Sequence, residues 1–67
     1  MTLQLNGESR TFSPGIATVS ELLAALDLTG KPLVVELDHE PVFPADYEQR
    51  ALHDGAILEI VVIAAGG

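Results

Sequence analysis

Only one stretch of this chain can be a helix, and that single helix decides the architecture. "TVSELLAALDLTG", Thr18 to Gly30, opens with a candidate N-cap, Thr18, and Glu21 follows three residues later, the spacing of a capping box. Val19, Leu22, Leu23 and Leu26 recur at the interval of one helical face. Gly30 supplies a left-handed stop, and Pro32 keeps the helix from resuming. This grammar predicts a helix over about residues 18–28. A lone amphipathic helix cannot bury its own apolar stripe, so it must lie across a sheet.

The rest of the chain supplies that sheet. "TLQLNGESRTF" reads as a hairpin: Leu3 and Leu5 alternate with polar residues, Asn6-Gly7 is a strong two-residue turn signal, and the return strand runs from Glu8 to about Phe12. "SPG" at Ser13 to Gly15 breaks the pattern. "LVVELD", Leu33 to Asp38, is a β-branched strand. A Pro-punctuated connection over 39–54 follows, with a short strand expected near Val42-Phe43 and an irregular turn near Asp46 to Gln49. Asp54-Gly55 then turns the chain into "AILEIVVI". Leu58, Ile60 and Val62 alternate there with Ile57, Glu59, Val61 and Ile63, and both sets are mostly apolar, as in a central strand.

This order predicts an α+β fold of the β-grasp, ubiquitin-like type, a mixed sheet of four to five strands crossed by one main α-helix. The first and last strands should pair in parallel at its centre, with Leu3, Leu5, Leu22, Leu26, Leu58 and Ile60 in the core. With 67 residues there is room for a single domain, 1–67, ending in a tail at about 64–67. A chain this size buries only about 60% of its unfolded surface.

Composition removes several functions. Ten acids stand against Arg10, Lys31 and Arg50, for a net charge of −7, so the cationic footprint of a nucleic-acid binder is missing. An acidic surface suits solubility and a basic protein partner. There is no cysteine, hence no disulfide, thiolate metal site or thiol nucleophile. The N-terminus lacks a charged-then-apolar leader, and no run approaches the roughly 20 apolar residues of a membrane span. The expectation is a soluble cytoplasmic protein, monomeric when free. His39 and His53 sit beside acids, but neighbours on a strand point to opposite faces, so both are read as solvated turn residues with no metal. Ser9, Ser13 and Ser20 have no base at a suggestive spacing, and the glycines form no phosphate loop.

Taken together, several segments carry a family likeness. "NGE" after the first strand, "TVSELLAALDL", "VVELD" followed by "EPVFP", "LHDGAILEIV" and the final "AAGG" occur in that order. In these pieces the chain resembles the ThiS family, the sulfur carrier proteins of thiamin biosynthesis, along essentially its whole length. It departs from the family in Asp38, where asparagine is frequent, in Ala45, where arginine often follows the proline, and in Ala56 of the usual "DGD".

The resemblance implies a use for the tail. A terminal carboxylate, with a pKa near about 3.5, is ionised at neutral pH and is a poor electrophile until given a leaving group. Family chemistry implies adenylation of Gly67 by a ThiF-like enzyme of the ubiquitin-activating type, which uses ATP. A persulfide sulfur donor then leaves a thiocarboxylate for thiazole synthase (ThiG-like). The carrier itself binds no cofactor and is a co-substrate rather than an enzyme. Gly66 and Gly67 lack the Cβ that would hinder threading beside a nucleotide, and Ala64 and Ala65 prolong the narrow profile. Glu59, Val61 and Ile63, on the outward face of the last strand near Thr2 and Gln4, are the expected docking residues. The alternative for that face is a second small core beneath the 39–54 connection. The alternatives for the tail are a molybdopterin or tRNA-thiolation carrier (MoaD-like) and a ubiquitin-like protein modifier.

Overall fold

The structure, a computed structural model, describes residues 1–63. The elements run β1 (Thr2–Leu5), β2 (Glu8–Thr11), α1 (Val19–Ala25), β3 (Leu33–Leu37), β4 (Glu40–Val42) and β5 (Ile57–Val62), with a 3-10 turn at Pro44–Asp46 before β5. The strands form one sheet in the order β2-β1-β5-β3-β4. As expected, β1 and β5 lie side by side and parallel, with Gln4 opposite Ile57 and Leu5 opposite Leu58. All other neighbours are antiparallel. The β-grasp reading holds.

The turns explain how this register is set. Asn6 and Gly7 have φ of 50° and 82°, the paired left-handed geometry of a type I′ hairpin. The loop before β5 is fastened to the start of β1. Thr2 N–H donates to Asp54 Oδ1 at 2.7 Å, and Gly55 N–H donates to Thr2 C=O at 2.7 Å. That double clasp brings two segments more than fifty residues apart in sequence into parallel alignment.

The helix begins as predicted and ends early. Thr18 Oγ1 accepts from Glu21 N–H at 3.2 Å, while Glu21 Oε1 accepts from Ala17 N–H at 3.2 Å. The stop lies at Asp27, with φ of 60°, rather than at Gly30. Leu28 N–H reaches back to Leu23 C=O at 2.8 Å, and Asp27 N–H to Ala24 C=O at 3.1 Å. This is the hydrogen-bond pattern of a Schellman cap, with Leu28 brought back over the helix it has just left. Aspartate tolerates the left-handed region better than most residues, so no glycine is needed there. Gly30, with φ of 80°, serves the next turn, which Lys31 N–H closes on Leu28 C=O at 3.1 Å.

The core lies between α1 and one face of the sheet, with Leu3, Leu22, Leu58, Val19 and Val35 almost wholly buried. Leu5, Leu23, Leu37, Val42, Leu52, Ala56 and Ile60 complete it. One expectation needs correction, and one residue on the core side stands apart. Leu26 is only half-buried, because the helix ends at that residue and leaves one side of it open. Val62 stands on the core-facing side of β5 but is 47% exposed, since it lies opposite Leu33 in the last pair of the ladder. The short helix, about 10 Å long by its rise per residue, does not cover that end.

The long connection is more ordered than the sequence suggests. Its strand starts at Glu40, and its irregular turn begins at Pro44, two residues ahead of Asp46. Leu52 enters the core, Ala51 bridges Thr18, and Val19 N–H donates to Arg50 C=O at 3.0 Å. The connection therefore packs on the helix side and leaves the opposite face of the sheet open. Among the described residues, the second small core considered for that face is not formed.

Candidate functional site: the open face and exit of the last strand

The ladder between β3 and β5 fixes what the open face presents. Ile63 N–H donates to Pro32 C=O at 2.8 Å and Asp38 N–H to Ile57 C=O at 2.7 Å. In an antiparallel ladder these bonds make 59–36 and 61–34 the hydrogen-bonded pairs, with their side chains on the face away from the helix. Glu59 is opposite Glu36, and Val61 opposite Val34. Val61 is 60% exposed, Ile63 52% and Val34 49%. Two carboxylates directly opposite each other repel, a small cost that a cation from outside would reverse.

Glu59, Val61 and Ile63 are thus on the surface as expected, but their neighbours differ. The parallel register puts Gln4 beside Ile57, at the start of β5, and Thr2 lies further back still. Val34 and Glu36 are the true companions of Val61 and Glu59. The alternation in "LVVEL" puts both on the outward face, since Val35 and Leu37 face the core and their neighbours must face out. Ala64, Ala65, Gly66 and Gly67 lie outside the described residues.

Where the chain leaves β5, Ile63 borders a shallow groove with Lys31, Pro32, Leu33, Pro44 and Tyr47. Ala45, the position where the family often carries arginine, is exposed in the adjoining turn beside Phe43, which is 64% exposed. A partner approaching this end meets apolar surface and Lys31, with no arginine at 45.

Asn6 has a second role that turn chemistry alone does not reveal. Its Oδ1 accepts from Ile60 N–H at 2.8 Å, and its Nδ2 donates to Ile60 C=O at 3.1 Å. The side-chain amide takes the place of one more β1 residue and holds β5 after the β1 backbone has turned away.

At the far end of the sheet, the β3–β4 hairpin turns through Asp38 and His39, with φ of 50° and 69° and no glycine. The strained turn is held from outside. Asp38 Oδ1 accepts from Ile57 N–H at 2.9 Å, and Oδ2 meets His53 Nε2 at 2.7 Å. His53 Nδ1 lies 3.0 Å from Asp54 C=O. Both ring nitrogens face acceptors, so the imidazolium is the form that satisfies both. The Ile57 N–H, then His53, hold the Asp38 carboxyl below its ordinary 3.8. The hydrogen bond to Asp38, then that to Asp54 C=O, raises His53 above 6.5.

These shifts have opposite pH consequences. The raised His53 contributes stability that is complete below 6.5 and is lost as pH rises through its folded value. The lowered Asp38 contributes stability that is complete above 3.8 and is lost as pH falls through its folded value. Thermal stability from this pair should therefore be greatest between pH 3.8 and 6.5 and decline on the alkaline side. Asp38→Asn keeps a left-handed-tolerant residue and an acceptor for Ile57 N–H, but should flatten the alkaline decline. Melting curves from pH 4 to 9 read this out, and an unchanged decline in the variant would exclude the pair as its source. The effect should be small, because both groups are exposed.

Comparison with known proteins decides what kind of molecule this is. The pattern of the ThiS family matches residues 3–67, essentially the whole chain and through both terminal glycines. The chain belongs to the ThiS family. It is 34% identical over 65 residues to the sulfur carrier protein ThiS of Bacillus subtilis, covering 97% of this chain and 98% of that one. It is 42% identical over all 67 residues to a thiazole synthase of Paramagnetospirillum magneticum, where it spans only 20% of the longer protein. The crystal structure of the thiamine biosynthesis protein ThiS from Geobacter metallireducens superposes with a TM-score of 0.83 at 29% identity, with each chain fully covered. The solution structure from the same organism gives 0.82, covering 88% of that chain. As a small ThiS-type sulfur carrier, the chain has a likeness in its whole fold, not in one motif. Among the described residues, no helix is long and apolar enough to cross a membrane.

Proposed function

We propose that this ThiS chain carries sulfur for thiazole formation in thiamin biosynthesis as a thiocarboxylate on Gly67. The observation that carries this reading is the ThiS family match over residues 3–67, which takes in Gly67. In the proposed cycle a carboxylate oxygen of Gly67 attacks the α-phosphorus of ATP on a ThiF-like enzyme, and pyrophosphate leaves. The terminal sulfur of a persulfide donor then attacks the acyl carbon and AMP departs. A thiol cleaves the resulting acyl disulfide, becoming oxidised itself, and frees the thiocarboxylate. Partner enzymes supply the catalytic residues and ATP, while the carrier holds no cofactor and acts in the cytoplasm as a co-substrate. Thiazole synthase is the proposed recipient, supported by the Paramagnetospirillum thiazole synthase whose sequence includes a stretch like this chain.

Intact mass spectrometry of the chain from its native cells tests the reading. A fraction should be heavier by the replacement of one oxygen with sulfur, and alkylation should label that fraction alone. Conjugates to lysines of other proteins, with no such fraction, would instead indicate a modifier.

The open face is the proposed docking surface for the adenylating enzyme, with Val61 and Ile63 giving contact area and Glu59 meeting a basic group that also relieves Glu36. Val61→Asp should fold normally, because residue 61 is exposed in the free chain. In the docked state it would bury an unpaired charge, and ATP–pyrophosphate exchange should fall by about tenfold or more. Normal exchange by the folded variant would eliminate this face as the docking surface.

A further inference from the structure

β5 is a central strand for most of its length, and beyond Ile60 it becomes an edge. The ladder to β3 directs the N–H and C=O of Leu58, Ile60 and Val62 toward the β1 side. Asn6 N–H takes the C=O of Leu58 at 2.8 Å, and the Asn6 side chain takes both groups of Ile60. The β1 chain then turns back at Gly7, so among the described residues nothing pairs with Val62 on that side. Val61, Val62 and Ile63 are all half-exposed around this bare rung.

The outer edges of the sheet are guarded in a way this one is not. β2 carries Glu8 and Arg10, and β4 carries Glu40 and Pro41, charges and a proline that discourage strand addition. The exit of β5 has only apolar side chains. An exposed apolar strand edge normally invites pairing, and here it sits on the segment that leads to the tail.

We propose that this edge receives an extended strand of the adenylating enzyme, laid in the lane that β1 vacates at Asn6 and bonded through main-chain groups to Val62. The occupant is a β-strand because the acceptor and donor of Val62 lie in the sheet plane at strand spacing, continuing the ladder that Asn6 closes. Its side chains are apolar, to cover Val61 and Val62. Asn6 acts as a positioning residue, fixing Ile60 so that the next rung is presented. The inference rests on the proposed adenylation of this chain and goes beyond the docking face, since it assigns a role to the backbone groups of Val62.

The test uses the full chain and the adenylating enzyme of the same organism. A semisynthetic carrier with the Val62 amide replaced by an ester lacks that N–H and keeps every side chain. Its melting temperature should be nearly that of the native chain, while its KM in ATP–pyrophosphate exchange should rise by about tenfold, the value of one interfacial hydrogen bond at the upper end of its range. Amide hydrogen exchange should show Val62 unprotected in the free carrier and slowed at least about tenfold in the complex. Exchange catalysis by the native chain with an unchanged KM for the ester, or a complex that leaves Val62 unprotected, overturns the added strand and leaves the adenylation reading intact. A native chain that supports no exchange at all overturns both. Self-association of the free carrier that the ester abolishes would assign the edge to a second copy and overturn the proposal.

Discussion

Deletion of Gly67 should abolish thiocarboxylate formation while leaving the fold untouched. The core is complete by Ile60, and the last backbone bond that ties the described chain to the sheet is Ile63 N–H to Pro32 C=O. In the proposed reaction, however, the carboxyl carbon must lie beside the α-phosphorus of ATP, with reacting atoms about 3–3.5 Å apart. One residue of extended chain spans about 3.3 Å, so the shortened tail would hold its carboxylate a full residue away. Misplacement of even about 1 Å can cost a hundredfold, and a whole residue should remove the product from detection. Intact mass after incubation with the adenylating enzyme, ATP and a persulfide donor measures it. A normal yield from the shortened chain would end the assignment of Gly67 as the reacting residue.

Leu58→Ala should be the most damaging single change to the fold. Leu58 is fully buried near the start of the central strand, paired with Leu5 on one side and Leu37 on the other. Truncating a buried leucine costs about 2–5 kcal/mol through lost transfer energy and the cavity left behind. Native domains are stable by only about 5–15 kcal/mol, and a domain this small belongs near the bottom of that range. A large share of the molecules should therefore unfold at body temperature. Val62→Ala on the same side of β5 should cost far less, because that side chain is 47% exposed. Urea titrations of the two variants give the comparison. Equal midpoints would mean that burial along β5 does not follow the described core.

What was legible in the sequence was what depends on neighbours in the chain. The capping box of Thr18 and Glu21, the Asn6-Gly7 turn and the alternation of β5 are local signals, and each produced its element. Features held by distant partners were hidden. The turn at Asp38 and His39 lacks glycine and is secured by Ile57 and His53, so Asp38 looked like the end of a strand. Leu28 fell inside the expected helix because Gly30 was read as its stop, although the cap at Asp27 brings Leu28 back over the helix. The proposed docking residues Glu59, Val61 and Ile63 could be placed on a face by alternation alone. Their companions Val34 and Glu36 required the antiparallel register of β3 with β5, which a single sequence does not display.

The strand order has a consequence for how the protein comes into being on the ribosome. β5 comes last in sequence among the five strands of the sheet, yet it occupies the middle. Until it emerges, the nascent chain has two hairpins, β1–β2 and β3–β4, with an empty lane between them and an uncovered helix. Isolated hairpins are marginal in water, so neither half holds its shape alone. Folding must wait for Ile57–Val62 and then close contacts across nearly the full length of the chain at once. Such non-local closure is slower than the assembly of a helical domain of similar size. A product terminated before Ile57 would lack the strand that joins the two hairpins, and so would have no fold.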